Sequence, residues 1–168
     1  IEFFNRKDKK IDPSIIIAPT AFGKSVLISY VAHAVGEKVL VIQPNKELLE
    51  QNYNKLIMLG GQASIFSASM GSKEIGEITY ATIGSIYKIG YKFKQLGINK
   101  IIIDECDRFP RDSSGMLRTF VKESKATHVL GLTATPLKLQ TLSNGGFNQF
   151  SLLRMLTTRS GKGIFFKK

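Results

Sequence analysis

Short, unbroken apolar runs alternate along this chain with segments whose apolar residues recur at helical spacing. The apolar runs, each predicted to be a strand, are Ile15–Ala18, Lys38–Ile42, Ala63–Phe66, Ile78–Ala81, Lys100–Asp104 and Thr127–Leu132. The segments predicted to be helices are Val26–Val35, Lys46–Leu59, Gly84–Ile89, Leu117–Glu123 and, in the less patterned region near the end, Phe147–Leu156. Strands that are apolar throughout are buried on both faces, which is typical of a mainly parallel sheet with helices on each side. The pattern therefore predicts an α/β fold.

The first predicted strand leads into a short loop that ends in Gly23-Lys24-Ser25, and a predicted helix follows at once. This order is the setting of a phosphate-binding loop, because the N–H groups and the dipole at a helix start both attract phosphate oxygens. Lys24 is predicted to reach the outer phosphates, and the Ser25 hydroxyl is predicted to hold Mg²⁺. The predicted nucleotide-binding residues are Thr20, Ala21, Phe22, Gly23, Lys24 and Ser25.

This loop departs from the general phosphate-loop pattern at two positions. Ala18 occupies the first position, where the pattern has glycine, and Ala21 stands where a flexible glycine is expected. Alanine at a position that requires positive φ costs about 1–2 kcal/mol. The alternative interpretation is a chance Gly-Lys-Ser at the start of a helix.

Two later strand ends carry polar residues suited to phosphate chemistry. Asp104 and Glu105 follow one apolar strand, and Thr133-Ala134-Thr135-Pro136 follows another. Ligands of parallel sheets bind at the carboxyl ends of the strands, so we expect these residues to lie near Lys24. Asp104 is predicted to bind Mg²⁺, and Glu105 to act as the base that orients or deprotonates the attacking water. A solvated acidic turn is the alternative.

The composition indicates what kind of partner the chain binds and argues against a disulfide, a zinc site and a membrane span. The chain has 168 residues and a net charge of +11, from 24 Lys and Arg against 13 Asp and Glu, which favours a polyanionic partner such as nucleic acid. A charge that serves only solubility is the alternative. One cysteine excludes an internal disulfide, and one cysteine with two distant histidines does not support a structural zinc site. No apolar run approaches the ~18 residues of a membrane span.

Taken in their order along the chain, the sequence motifs resemble those of the N-terminal motor domain of superfamily 2 helicases and translocases, the DEAD/DEAH-box-like group. Ala18–Ser25 resembles motif I, whose family form accounts for Ala18 and leaves Ala21 as a departure. Pro44–Gln51 is similar to motif Ia, and Thr82–Ser85 to motif Ib, with Ser85 where many members have arginine. Asp104–Asp107 resembles motif II, and Thr133–Pro136 resembles motif III.

The resemblance implies a fold, cofactors and residue roles. The fold is a P-loop NTPase of the RecA-like kind, a three-layer sandwich with a mainly parallel central sheet, and the cofactors are ATP and Mg²⁺. By the same resemblance, Asp104 binds Mg²⁺ through water, Glu105 activates the hydrolytic water and Lys24 contacts the phosphates. The residues expected to link nucleotide state to domain movement are Asp107, Thr133 and Thr135. The residues expected to contact a nucleic-acid backbone are Lys46, Thr82 and Gly84.

We therefore expect an ATP-dependent helicase or translocase that acts on DNA more readily than on RNA, inside the cell and away from membranes. Residues 1–145 are predicted to form the ATP-binding domain, and 146–168 a basic segment that leads toward a second motor domain in a longer protein. Without that second domain we expect weak or no ATP hydrolysis. The alternatives are a binding module that holds nucleotide without hydrolysing it and, further away, a P-loop kinase of a small molecule.

Overall fold

The computed structural model describes residues 1–7, 13–19, 22–109, 111–134, 137–141, 147–151 and 163–165. The strands are β1 (Ser14–Ile17), β2 (Val39–Gln43), β3 (Ser64–Ser67), β4 (Ser72–Lys73), β5 (Ile78–Thr82), β6 (Lys100–Ile103), β7 (His128–Thr133), β8 (Leu137–Thr141), β9 (Phe147–Ser151) and β10 (Gly163–Phe165). The helices are α1 (Glu2–Asn5), α2 (Lys24–Ala34), α3 (Lys46–Met58), α4 (Ile83–Ile86), α5 (Gly90–Gln95) and α6 (Arg111–Ser124), with a 3-10 turn at Ala68–Met70.

Most of the strands form one sheet, in the order β10, β1, β7, β6, β2, β5, β3, β4. Neighbouring strands of this sheet run parallel, except for the antiparallel pair β3 and β4. The register places Ile17 beside Thr133, and Ile42 beside Ile103. The strands β1, β7, β6 and β2 therefore end together, at what we call the carboxyl edge of the sheet, and the loops that carry the predicted site open there.

Two apolar clusters cover the two faces of the sheet. On one face, α2 and α3 pack Ile28 and Leu49 against the sheet. On the other face, α4, α5 and α6 contribute side chains such as Phe93 and Phe120, whose ring centroids lie 5.3 Å apart. Every residue of β2 is buried, because its side chains enter these clusters alternately. This arrangement confirms the predicted α/β sandwich and explains why its central strands are apolar throughout.

The predicted strands before residue 134 are confirmed, with ends that differ by at most one residue. The predicted helices Val26–Val35 and Lys46–Leu59 are confirmed as α2 and α3, with ends that differ by at most two residues. The predicted helix Gly84–Ile89 is helical only in its first part, because α4 ends at Ile86. The backbone of Ile89 is not helical, and α5, which was not predicted, begins after it at Gly90. The last described helix begins at Arg111, six residues before the predicted start at Leu117. The sequence did not predict this first part because Ser113, Ser114 and Gly115 have low helix propensity.

The predicted helix over Phe147–Leu156 is wrong where the structure describes it. Residues Phe147–Ser151 form β9, which pairs antiparallel with β8. The spacing of Phe147 and Phe150 suggests a helical turn, but the sequence of β8 alternates apolar and polar residues and supplies a strand partner. Cross-strand pairing therefore overrides the local spacing.

Within the described residues, no helix combines the length and the apolar character needed to cross a membrane. The predicted division of the chain at residue 145 stays a prediction.

Candidate nucleotide site

The loop after β1 delivers the start of α2 to the carboxyl edge. Phe22 N–H donates to the Pro19 carbonyl at 3.1 Å, which closes a turn just before the helix. Gly23 caps the helix with φ of 83°, in the left-handed region, and its carbonyl accepts the first helical hydrogen bond from Leu27 N–H at 3.0 Å. A side chain at this position would strain the backbone although the space around it is open. As at every helix start, the first N–H groups of α2, including those of Lys24 and Ser25, have no partner within the helix.

Lys24 reaches across the edge to the acidic turn that follows β6. Its Nζ lies 3.3 Å from Glu105 Oε1, and the two side chains are only 11% and 14% exposed. Arg108 approaches the same carboxylate from the solvent side, with Nε 3.7 Å from Oε2. Glu105 itself has φ of 43°, a conformation that non-glycine residues rarely adopt. The turn thus holds Glu105 in a strained conformation that directs its carboxylate toward the start of α2.

Asp104 is buried at the end of β6, and both of its carboxylate oxygens accept hydrogen bonds. The Glu105 N–H donates to Oδ1 at 2.9 Å, and Asn52 Nδ2 donates to Oδ2 at 2.7 Å. Burial raises the pKa of the Asp104 carboxyl, and the Glu105 charge adds to this. The two hydrogen bonds and the Lys24 ammonium oppose that rise. A divalent cation would offset the burial cost of this carboxylate in the same way.

The donor atoms at this edge fit Mg²⁺. Carboxylate and hydroxyl oxygens, here from Asp104 and Ser25, are the hard ligands that Mg²⁺ prefers. In the described part of the chain, no three His, Cys, Asp or Glu side chains cluster as a self-sufficient metal site. An ion held here therefore needs phosphate oxygens and water to complete its coordination, as Mg²⁺ does in nucleotide sites.

Hydrogen bonds tie the acidic turn to β7 and to the loop after β1. Thr133 Oγ1 donates to Asp107 Oδ1 at 2.6 Å. Cys106 N–H donates to the Leu132 carbonyl at 3.0 Å, and Ala18 N–H donates to the Thr133 carbonyl at 2.9 Å. The end of β7 is therefore hydrogen-bonded to Cys106 and Asp107, the two residues that follow Glu105.

The predicted nucleic-acid contacts lie at the ends of β2 and β5, on the same edge. Lys46 is exposed in the first turn of α3, where the Asn45 side chain caps the helix by accepting from Leu48 N–H at 2.9 Å. Gly84 is exposed. Thr82 is half-buried, and its hydroxyl lies 2.9 Å from the Ser85 hydroxyl and 3.3 Å from that of Ser67.

The structure thus brings Lys24 to Glu105, and Asp107 to Thr133, and it places Ser25 and Asp104 on the same edge. Thr20, Ala21 and Thr135 lie outside the described residues. Sequence reasoning missed Asn52, Arg108 and the hydroxyl of Ser67. Asn52 had one sequence signal, since it is a polar residue between the buried Leu49 and Leu56 on the apolar face of α3.

The family model described as Type III restriction enzyme, res subunit, matches residues 1–138. The chain belongs to this family. Its described fold and the order of its motifs make it a RecA-like motor domain of the superfamily 2 kind. No curated protein matches the sequence significantly.

Solved helicase structures share the fold of this res-subunit domain. The UvsW helicase from bacteriophage T4 matches 92% of this chain and 54% of its own chain, with 17% identity and a TM-score of 0.66. A hypothetical ATP-dependent RNA helicase from Sulfolobus tokodaii matches 92% and 48%, with 17% identity and a TM-score of 0.68. The Pyrococcus furiosus Hef helicase domain matches 92% and 35%, with 17% identity and a TM-score of 0.61. The domain therefore spans about half, or less, of the length of these helicases.

Proposed function

We propose that this domain is the N-terminal ATP-binding motor domain of a helicase or translocase that hydrolyses ATP while it moves along nucleic acid. The observation that supports the proposal most directly is the 3.3 Å approach of Lys24 Nζ to Glu105 Oε1. This contact joins the helix-start loop to the acidic turn. A phosphate clamp, oxygen ligands for a metal and a base for water thereby meet at one edge of the sheet.

In the proposed reaction, the Lys24 ammonium moves from Glu105 to the outer phosphates of ATP, which releases the Glu105 carboxylate. Glu105 then accepts a proton from water as the water oxygen bonds to the γ-phosphorus. The bond from that phosphorus to the bridging oxygen breaks, and ADP leaves. The Ser25 hydroxyl and, through water, Asp104 would hold Mg²⁺, which would supply positive charge to the phosphate oxygens.

The nucleic-acid part of the proposal depends on exposed groups at the ends of β2 and β5. In the proposal, Lys46 and the backbone near Gly84 contact phosphates without reading sequence, and their exposure and the net charge of +11 favour such contacts. The matching family is named for a restriction enzyme, which supports DNA as the nucleic acid bound, whereas the Sulfolobus tokodaii protein is named as an RNA helicase. We therefore propose DNA as the preferred strand, in an intracellular setting consistent with the free, buried Cys106.

A second motor domain completes the proposal. The related helicases are about twice the length of this domain or longer. In the proposed protein, the second domain supplies arginines that stabilise the charge developing on the γ-phosphate, an effect worth about 10³–10⁵ in rate. This domain alone is then expected to turn over ATP slowly or not at all.

Nucleic-acid-stimulated ATP turnover by the full-length protein tests the proposal. Single-stranded DNA should raise the rate more than RNA does, and Lys24→Ala should lower the stimulated rate by about 10² or more. Lys122→Ala, at an exposed lysine of α6, is the matched control and should have no effect. Stimulation of ATP turnover by a metabolite and not by nucleic acid would instead indicate a P-loop kinase of a small molecule. Tight ATP binding without turnover, even with saturating DNA, would indicate the binding module and overturn the motor proposal.

A further inference from the structure

Asn52 is a polar residue in a position that the fold otherwise fills with apolar side chains. It is 2% exposed, and it lies on the face of α3 that buries Leu49 and Leu56 against the sheet. Burying a side-chain amide is costly unless the amide is hydrogen-bonded. An apolar residue here would fit the helix better, so the amide must be explained by what it bonds.

The partner of that amide is the carboxylate proposed to hold Mg²⁺. Asn52 Nδ2 donates to Asp104 Oδ2 at 2.7 Å, and the bond is buried. Among the described residues, Asn52 provides the one side-chain hydrogen bond to Asp104. The other hydrogen bond to this carboxylate comes from the Glu105 backbone at 2.9 Å. The two bonds, one to each oxygen, together restrain the rotation of the carboxylate about its last bond more than the backbone bond alone does.

The surroundings of this bond make the amide hard to replace. Among the described residues, the Tyr80 hydroxyl and both polar atoms of the Gln43 side chain are buried without a hydrogen bond of acceptable geometry. Tyr80 stacks edge-on against Tyr53, with ring centroids 6.3 Å apart. Within the described part of the chain none of these groups bonds Asp104, so the Asn52 amide is the side-chain donor to its Oδ2.

The same helix carries the exposed lysine proposed to contact nucleic acid. Lys46 is the first residue of α3, and Asn52 lies six residues further along it, which is about 9 Å at 1.5 Å per residue. Both residues lie on one continuous helix. One buried hydrogen bond therefore connects the helix that begins at Lys46 to Asp104.

We propose that Asn52 is a positioning residue for Asp104, and that it couples nucleic-acid contact at the start of α3 to the geometry of the Mg²⁺ site. This inference rests on the proposed function and assigns a regulatory contact within it. Groups that orient metal-binding carboxylates typically change metal affinity or activity about 10–100-fold when they are removed. The expected effect of losing the Asn52 amide is therefore large and specific to the metal.

The test compares the nucleotide affinity of the full-length protein with Mg²⁺ and with EDTA, using a fluorescent ATP analogue. In wild type the ratio of the two affinities should be high, and Asn52→Leu should lower this ratio by about tenfold or more. General loosening of the fold weakens both affinities together and leaves the ratio unchanged. Leu56→Val, one turn along the same helix, is the matched control and should keep the wild-type ratio. Asn52→Ala serves as a second variant should the leucine variant fail to fold.

The coupling is tested in the same variants. Single-stranded DNA should stimulate ATP turnover several-fold less in Asn52→Leu than in wild type, while the affinity for DNA without nucleotide stays at the wild-type value. A wild-type ratio of affinities in both Asn52 variants would overturn the inference and leave the proposed function intact. A wild-type protein that binds the analogue equally well with Mg²⁺ and with EDTA would instead overturn the proposed function.

Discussion

The hydrogen bond from Thr133 to Asp107 permits a quantitative prediction about how the end of β7 is held to the acidic turn. In Thr133→Val, the donor is lost with little change of shape, and the 2.6 Å bond to Asp107 Oδ1 cannot form. Thr133 is fully buried, whereas Asp107 is only half-buried, and both residues have further interactions.

The expected loss follows from these two environments. A hydrogen bond to a charged group contributes about 1.5–3 kcal/mol to stability, and water can replace part of it at a half-buried carboxylate, so we expect about 1–2 kcal/mol. For a domain of this size, that corresponds to a fall in Tm of about 2–8 °C. Urea unfolding followed by circular dichroism measures the free energy directly, and Thr119→Val, at an exposed threonine of α6, should change it by less than about 0.5 kcal/mol.

A double-mutant cycle decides whether the bond itself is responsible. In the Asp107→Ala background, Thr133→Val should cost clearly less than in wild type, because the acceptor is already absent. Strict additivity of the two substitutions would refute the reasoning. So would a Thr133→Val variant with the unfolding free energy of wild type.

Two further predictions concern buried groups away from this bond. Burial raises the pKa of Tyr80 to about 12, against a smaller lowering by the Ser29 hydroxyl. Because no hydrogen bond of good geometry reaches the Tyr80 hydroxyl from the described residues, Tyr80→Phe should leave the urea-measured stability unchanged or raise it by about 1 kcal/mol, and a loss of that size would contradict this. Burial lowers the pKa of His128, whose Nε2 lies 3.1 Å from the Arg6 carbonyl oxygen. The folded state thus favours neutral imidazole, so stability should fall as the pH drops below the unfolded pKa of about 6.5. His128→Phe should flatten this decline in urea titrations, and an equally steep decline in the variant would count against the reasoning.

The sequence predicted the central strands and their bounds well, for a physical reason. Strands such as β2 and β6 are buried on both faces, and a continuous apolar run leaves few other structures open to them. The start of α2 was also predictable, because Gly23 followed by a helical pattern marks a helix that begins with its N–H groups unsatisfied.

Features that depend on contacts between distant residues could not be predicted. The hydrogen bond between Asn52 and Asp104 joins residues 52 positions apart, and the local pattern of α3 does not indicate which residue Asn52 bonds. The positive φ of Glu105 is imposed by the turn around it and has no sequence signature. The helical spacing of Phe147 and Phe150 was overridden by pairing with β8, which only the folded chain provides.

The central claim is that Lys24, Ser25, Asp104 and Glu105 act together on one triphosphate and its Mg²⁺. The most direct measurement is single-turnover hydrolysis of radiolabelled ATP by the full-length Glu105→Gln variant with saturating single-stranded DNA, alongside equilibrium binding of the same nucleotide. We predict that the variant binds ATP and Mg²⁺ as tightly as wild type, or more tightly, and hydrolyses it about 10²–10⁴ times more slowly. Hydrolysis at the wild-type rate would contradict the account, because the carboxylate that Lys24 contacts would then have no part in the chemistry.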